Sequence, residues 1–299
     1  MIGILFESNE WSDHKLLAEI EACGVPSRLI NMEDAAAETE ALACDLLVSR
    51  VFASAQFRNH QASLDRMPYI IEAAEQLGIP LINPGRAHFF ETDKHLATKI
   101  LASAGFVTPA LYACALPSNL NPTVFVYPCI IKPNCGGRTT YTTIAHNETE
   151  ARLFLTGAPS INFIVEEYVI PTRQFLTRIE VVDSVCALIV KRSIAACGLS
   201  AYHLGSTYQI YQNCSDEAKT AAEGAARTLS IEFGSFDIIE SDHGACIIDA
   251  NSVSNVSVDC TELFKLDLMK AHAQAIARRY HLLRSTPKRA RTIPLPANQ

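Results

Sequence analysis

The first ninety residues alternate between short apolar runs and amphipathic segments. "MIGILFE", "VPSRLIN", "CDLLVSR" and "IPLIN" have strand length and β-branched content, whereas "SDHKLLAEIEACG" and "MPYIIEAAEQLG" space their apolar residues at helical intervals. Strand and helix in strict alternation leave few solutions. The strands must lie parallel, and the helices must cover the sheet. Ser12 reads as the cap of the first helix and Gly24 as its stop. No G-x-G-x-x-G follows the first strand, so the dinucleotide fingerprint of such sheets is absent.

After residue 89 the pattern changes. "ETDKHLATKILASAGFVTP" predicts a helix that ends at Gly105. "FVYPCIIKPNCGGRTTYTTI" predicts two strands joined by Asn134 to Arg138. "ETEARLFLTG" predicts a helix and "NFIVEEYVI" a strand. "QFLTRIEVVD" and "SVCALIVKRSI" predict long strands turning at Asp183-Ser184. The stretch from Ala195 to Asn213 has no clear period. A helix capped by Ser215, a hairpin over Phe236 to Ile248 and a helix from about Leu266 to Leu283 complete the ordered chain. The expected organisation is a βα lobe over 1–88, a central α+β lobe over 89–165, a strand-rich α+β lobe over 166–283 and a basic, proline-containing tail over 284–299. Clefts between lobes favour ligand sites.

Composition excludes several classes. A net charge of -7 gives no support to a nucleic-acid-binding surface. No apolar run reaches membrane-spanning length, and the N-terminus lacks a signal-peptide pattern. Ten cysteines are scattered without a C-x-x-C pair, which leaves a zinc site poorly supported and predicts reduced thiols in a cytoplasmic protein. Cys135, in the glycine-containing loop, is the one thiol whose surroundings suggest reactivity.

Four pieces carry chemistry. Lys132 follows an apolar run in "IIKP" and reads either as a strand-edge lysine reaching back to water or as a half-buried ammonium that calls for an anion; Gly136-Gly137 nearby, which let backbone N–H groups approach phosphate, favour the second. Lys94 follows Asp93 at a helix start and offers a second cation. Glu166 to Val169, in "VEEYV", read either as a capped strand end or as a hinge whose backbone and carboxylates meet an adenine edge. Asp237, Asp249 and Asn251 bring hard oxygen donors to the open end of the hairpin, a donor set that suits Mg²⁺ beside phosphate. Tyr202, His203, Ser206, Tyr208, Gln209, Ser252, Ser254 and Asn255 are candidates to shape an acceptor pocket, with Asp259 and Glu262 able to attract an amine.

The ordered set D-K…I-K-P-x-x-G-G…V-E-E-Y-V…R…R…D-x₁₁-D-x-N resembles the ATP-grasp ligases, most nearly the RimK/LysX-type amino-acid ligases and more distantly glutathione synthetase and D-alanine–D-alanine ligase. The resemblance extends to about Tyr280. It implies an α/β and α+β ATP-grasp fold, with a Rossmann-like N-terminal lobe and two α+β lobes enclosing ATP. It implies that Lys94 and Lys132 hold nucleotide phosphates, that Gly136 and Gly137 lie in the mobile loop, and that Glu166, Glu167, Tyr168 and Val169 form the adenine hinge. Arg192 and Arg178, with Lys132, become the catalytic cations, and Asp237, Asp249 and Asn251 the ligands of two Mg²⁺ ions, for which Mn²⁺ can substitute. Asp249 stands where the family usually carries glutamate, and Leu176 where an acidic residue is usual. The implied reaction joins a carboxylate to an amine through an acyl-phosphate, releasing ADP and phosphate. The substrates implied are an amino acid, a small peptide or the terminus of a carrier protein, with ring closure within one substrate as an alternative and a homo-oligomer as the assembly. A small-molecule kinase of the same fold is the rival, and the scarcity of Lys and Arg after Arg192 weighs against it.

Overall fold

The computed structural model describes residues 1–241, 244–254, 256 and 258–285. The hairpin tip Asp242-His243, Asn255, the side chains of Tyr202 and Asp259, and the tail beyond 285 lie outside the described residues.

The N-terminal segment forms β1 (Ile2–Phe6), α1 (Trp11–Ala22), β2 (Ser27–Asn31), α2 (Ala37–Leu42), β3 (Leu46–Arg50), α3 (Gln61–Gln76), β4 (Leu81–Ile82) and α4 (Gly85–Thr92). Its four strands are parallel in the order β2-β1-β3-β4. Their nearly continuous apolar character follows from helices on both faces. Ser12 is not the cap of α1. The helix begins one residue earlier, and Ser12 is fully buried, its hydroxyl accepting from Arg50 Nη2 at 2.7 Å. Gly24 does end that helix region, in the left-handed conformation at φ +76°.

The central segment has α5 (Lys94–Ser103), β5 (Leu111–Ala115), β6 (Cys129–Pro133), β7 (Thr143–Ala145), α6 (Glu148–Thr156) and β8 (Phe163–Glu167). The four strands form an antiparallel sheet in the order β5-β8-β6-β7. The helix expected from Glu91 onward starts at Lys94, because Asp93 caps it by accepting from Leu96 N.

The last segment comprises β9 (Phe175–Val182), β10 (Val185–Ser193), β11 (Tyr208–Ile210), α7 (Asp216–Leu229), β12 (Phe233–Ser241), β13 (Gly244–Asn251), α8 (Val258–Phe264) and α9 (Leu268–Ser285). The sheet order is β11-β10-β9-β12-β13, with antiparallel neighbours. Asp183 and Ser184 both take positive φ in the tight β9–β10 turn. Ser215 caps α7 by accepting from Ala218 N. The small residues Ala218, Ala222, Ala225 and Ala226 let α7 lie close on one sheet face, against Ile179, Val181, Phe236, Ile238 and Ile247. The period of 2 sends the alternate residues to the other face.

Buried polar bonds tie the first and last segments together. Asn83 Nδ2 donates to Phe233 O at 2.7 Å and to Ser252 O at 2.6 Å, and its Oδ1 accepts from Phe233 N. Arg50 donates to Asp13, Ser12 and Ser254 O. The nine described cysteines are free thiols. Cys135 is not poised for reaction, since burial pushes its thiol pKa up to about 11. Among the described residues, no helix is long and apolar enough to cross a membrane.

Candidate active site

The sheet face turned away from α7 carries the site. Register places Arg192 beside Leu176 and Tyr208, Arg178 beside Val190 and Asp237, and Asp237 directly opposite Asp249. The last pairing depends on a β-bulge. Between Ser241↔Gly244 and Ile238↔Ile247 the hairpin is regular, which would set Asp237 against Ile248. Ile248 is instead the extra residue, so Asp249 moves opposite Asp237 and Asn251 opposite Ser235. All three oxygen-bearing side chains thereby share one face. The bulge also frees the Ile248 carbonyl, which accepts from Lys132 Nζ at 3.3 Å across the cleft.

The opposite wall is the central sheet. Lys132 on β6 and Glu166 on β8 point the same way, and their charged ends meet at 2.5 Å. Lys94, at the first turn of α5, reaches Asp249 Oδ1 at 2.6 Å. Arg192 donates to Asp237 Oδ2 at 2.8 Å and to Ser200 Oγ at 2.9 Å. Arg178 donates to Asp237 Oδ1 at 3.3 Å and to Glu180 Oε1 at 2.7 Å. Burial disfavours charge on Asp249, but Lys94, Lys132 and Arg192 outweigh it and hold its carboxyl pKa below the ordinary value. Burial likewise opposes the Lys94 ammonium, and Asp249 and Glu91 together keep its pKa raised.

Between the walls is a cavity of about 820 Å³. Its lining contains all thirteen residues that the sequence offers for nucleotide, metal or catalytic roles: Lys94, Lys132, Gly136, Gly137, Glu166, Glu167, Tyr168, Val169, Arg178, Arg192, Asp237, Asp249 and Asn251. The loop after β6 closes over one side. Arg138 Nη2 bonds Glu10 Oε1 at 2.6 Å, and the Tyr141 ring meets Phe57 edge-on at 5.4 Å. Gly136, at φ +149°, passes so near the Phe57 ring that a Cβ would lie 2.7 Å from it.

Of the acceptor-pocket candidates, His203 and Tyr208 line the cavity. Ser206 is buried within its own loop, accepting from Ala201 N. Ser254 Oγ donates to Glu180 and receives a bond from Arg178. Two residues not read from the sequence stand out. Glu91 is buried and accepts from Ala53 N and Ser252 N, and burial raises its pKa. Phe52 faces the cavity beneath Arg50 and Arg58. Neither belongs to a motif, so only the packing finds them.

Asp237, Asp249 and Asn251 fit a hard divalent cation in donor chemistry: two carboxylates and a carboxamide beside phosphate-binding cations. Among the described residues no three His, Cys, Asp or Glu groups gather closely enough to hold a metal by themselves, so substrate oxygens would complete the set.

The model of the RimK-like ATP-grasp domain matches residues 91–276. Solved structures of similar fold include D-cycloserine synthetase DcsG, with 14% identity, TM-score 0.70 and coverage of 93% of this chain and 99% of that one. A RimK domain ATP-grasp protein from Sphaerobacter thermophilus has 15% identity, TM-score 0.70 and coverage of 92% and 98%. D-alanine–D-alanine ligase from Bacillus anthracis has 14% identity, TM-score 0.69 and coverage of 95% and 98%. A search of curated proteins found no match. The chain belongs to the RimK-like ATP-grasp family, whose members are ATP-dependent carboxylate–amine ligases.

Proposed function

We propose that this protein forms an amide bond between a carboxylate and an amine, using ATP to activate the carboxylate as an acyl-phosphate. The observation that carries this reading is the convergence of Lys94, Lys132, Arg178 and Arg192 with Asp237 and Asp249 around one cavity between two sheets. The substrate carboxylate is an amino acid, a small peptide or a carrier-protein terminus.

In this reading the Glu166–Val169 hinge holds adenine, and Lys94 and Lys132 grip the phosphates. Both lysines are already neutralised, by Asp249 and Glu166, so the triphosphate takes over cations that wait in place. Asp237, Asp249 and Asn251 would hold Mg²⁺, which when bound neutralises phosphate charge. A substrate oxygen attacks the γ-phosphorus, the bond to ADP breaks, and an acyl-phosphate forms. The amine lone pair then attacks the acyl carbon, phosphate leaves with the bonding electrons, and the amine loses a proton. Arg192 and Arg178 stay fixed by Asp237 and Glu180, so they meet developing negative charge without reorganising. The loop around Gly136 and Gly137 shields the acyl-phosphate from water.

Incubation with ATP, Mg²⁺, hydroxylamine and a panel of carboxylic acids tests this. ADP and a hydroxamate should appear together for at least one acid. ADP accompanied by a stable phosphoester and no hydroxamate would identify a kinase instead.

A further inference from the structure

We infer that the carboxylate this enzyme activates carries an apolar side chain, received by a wall of Phe52, Val253, Val256, Leu263 and Phe264 at the arginine end of the cleft. The inference rests on the ligase reading above and names its substrate class. All five residues line the cavity.

Several bonds fix the wall beside the arginines rather than beside the adenine hinge. Arg178 Nη2 reaches Ser254 Oγ, one residue from Val253, at 3.4 Å. Glu91 takes Ala53 N on one oxygen and Ser252 N on the other, which brings Phe52 and Val253 to the same corner. Arg50 donates to Ser254 O and stacks on the Phe52 ring, closing that corner from the first lobe. The helix α8, which ends in Leu263 and Phe264, packs on β11, where Tyr208 pairs with Arg192. A carboxylate drawn to Arg178 and Arg192 therefore points its substituent at carbon.

Charge leads to the same class. Among the described residues at the arginine end of the cavity the carboxylates are already matched: Asp237 by the two arginines, Glu180 by Arg178 and Ser254, and Glu91 by two backbone N–H groups and the nearby Lys94, which also pairs with Asp249. A basic substituent placed there, away from Glu167 at the hinge, would find no unmatched counter-charge among the described residues, and an acidic one would meet an apolar wall. Burying either without a partner is unfavourable, whereas an alkyl or aryl group gains from leaving water.

The test is hydroxamate formation with acids matched in pairs: glycine, leucine, phenylalanine, lysine and glutamate, each free, N-acetylated and as the last residue of a dipeptide. The expected result is a kcat/KM for the leucine and phenylalanine members at least about tenfold above that for the glycine, lysine and glutamate members. Equal or faster turnover of the lysine or glutamate members would overturn the inference while leaving the ligase reading intact. Hydroxamate from none of the acids would remove the ligase reading, and the inference with it. Leu263→Glu supplies a second arm at a half-exposed rim position that tolerates a charge in folding. It should lower kcat/KM for leucine about tenfold and raise that for lysine. An unchanged ranking of acids in this variant would overturn the assignment of the wall. The KM for ATP, measured alongside, reports whether the nucleotide end of the cleft is still formed.

Discussion

Replacing Asp249 with asparagine removes one charge and keeps an oxygen that can accept from Lys94. Lys94 is then left mostly buried with Glu91 and, more distantly, Glu166 as its remaining counter-charges. Breaking a fully buried ion pair costs about 3–5 kcal/mol, and an exposed one about 0–1 kcal/mol. With side chains 11% and 28% exposed, this pair falls between, at about 2 kcal/mol. For a chain of this size that lowers Tm by about 3 °C. Turnover should fall much further. Losing a carboxylate from the proposed Mg²⁺ ligand set weakens the cation that would neutralise phosphate charge and should lower kcat by about 100-fold or more. The double variant Lys94→Met/Asp249→Asn separates the two effects. Removing both charges should return most of the lost Tm, because no unpaired ammonium remains, while ADP release stays at least as slow as in the single variant. Thermal melts without nucleotide and ADP release under saturating Mg²⁺ measure both quantities. Asp249→Asn turnover within threefold of the wild type would refute the proposed role of this carboxylate.

Gly136→Ala should unseat the loop. The new Cβ meets Phe57 and the backbone has positive φ, a strain of about 1–3 kcal/mol that reduces the seated population roughly tenfold. Trypsin should then cleave faster at Arg138, with slower ADP release, and an unchanged cleavage rate would refute the latch. His272 is buried against Phe233, and burial pushes its pKa down to about 3. The unfolded chain therefore takes up this proton first. The stability His272 contributes is present above about pH 6.5 and lost as pH falls toward about 3. In His272→Gln, Tm should decline less steeply between pH 7 and pH 4, and parallel melting curves for the two proteins would count against this account.

Much of this fold is legible in the chain because local and long-range signals agree. Asp183-Ser184 mark the β9–β10 turn, Ser215 marks the start of α7, and the parallel sheet follows from alternation. Of the candidate site residues, Lys132, Asp237, Asp249 and Asn251 stand out because polar groups ending apolar strands need partners, whereas Arg178 and Arg192 are picked out only by the family resemblance. What the sequence hides is register. A two-residue turn at Asp242-His243 pairs Asp237 with Ile248 on paper, and nothing in "GACIIDAN" announces the extra residue that brings Asp249 opposite. The apolar wall is hidden for another reason. Phe52, Val253, Val256, Leu263 and Phe264 come from three separate stretches, and no periodicity connects them.

Asn83 and Arg50 join the first lobe to the last through buried hydrogen bonds, and α1 packs along α9 beside them. Separating those two lobes would strand several polar groups in a dry seam. The central sheet meets these lobes across the cleft through more exposed contacts, such as the pairing of Arg138 with Glu10 and the bond from Lys132 to Ile248. Contacts at the cleft surface can therefore break and re-form at small cost, while the buried seam that aligns the arginines resists opening.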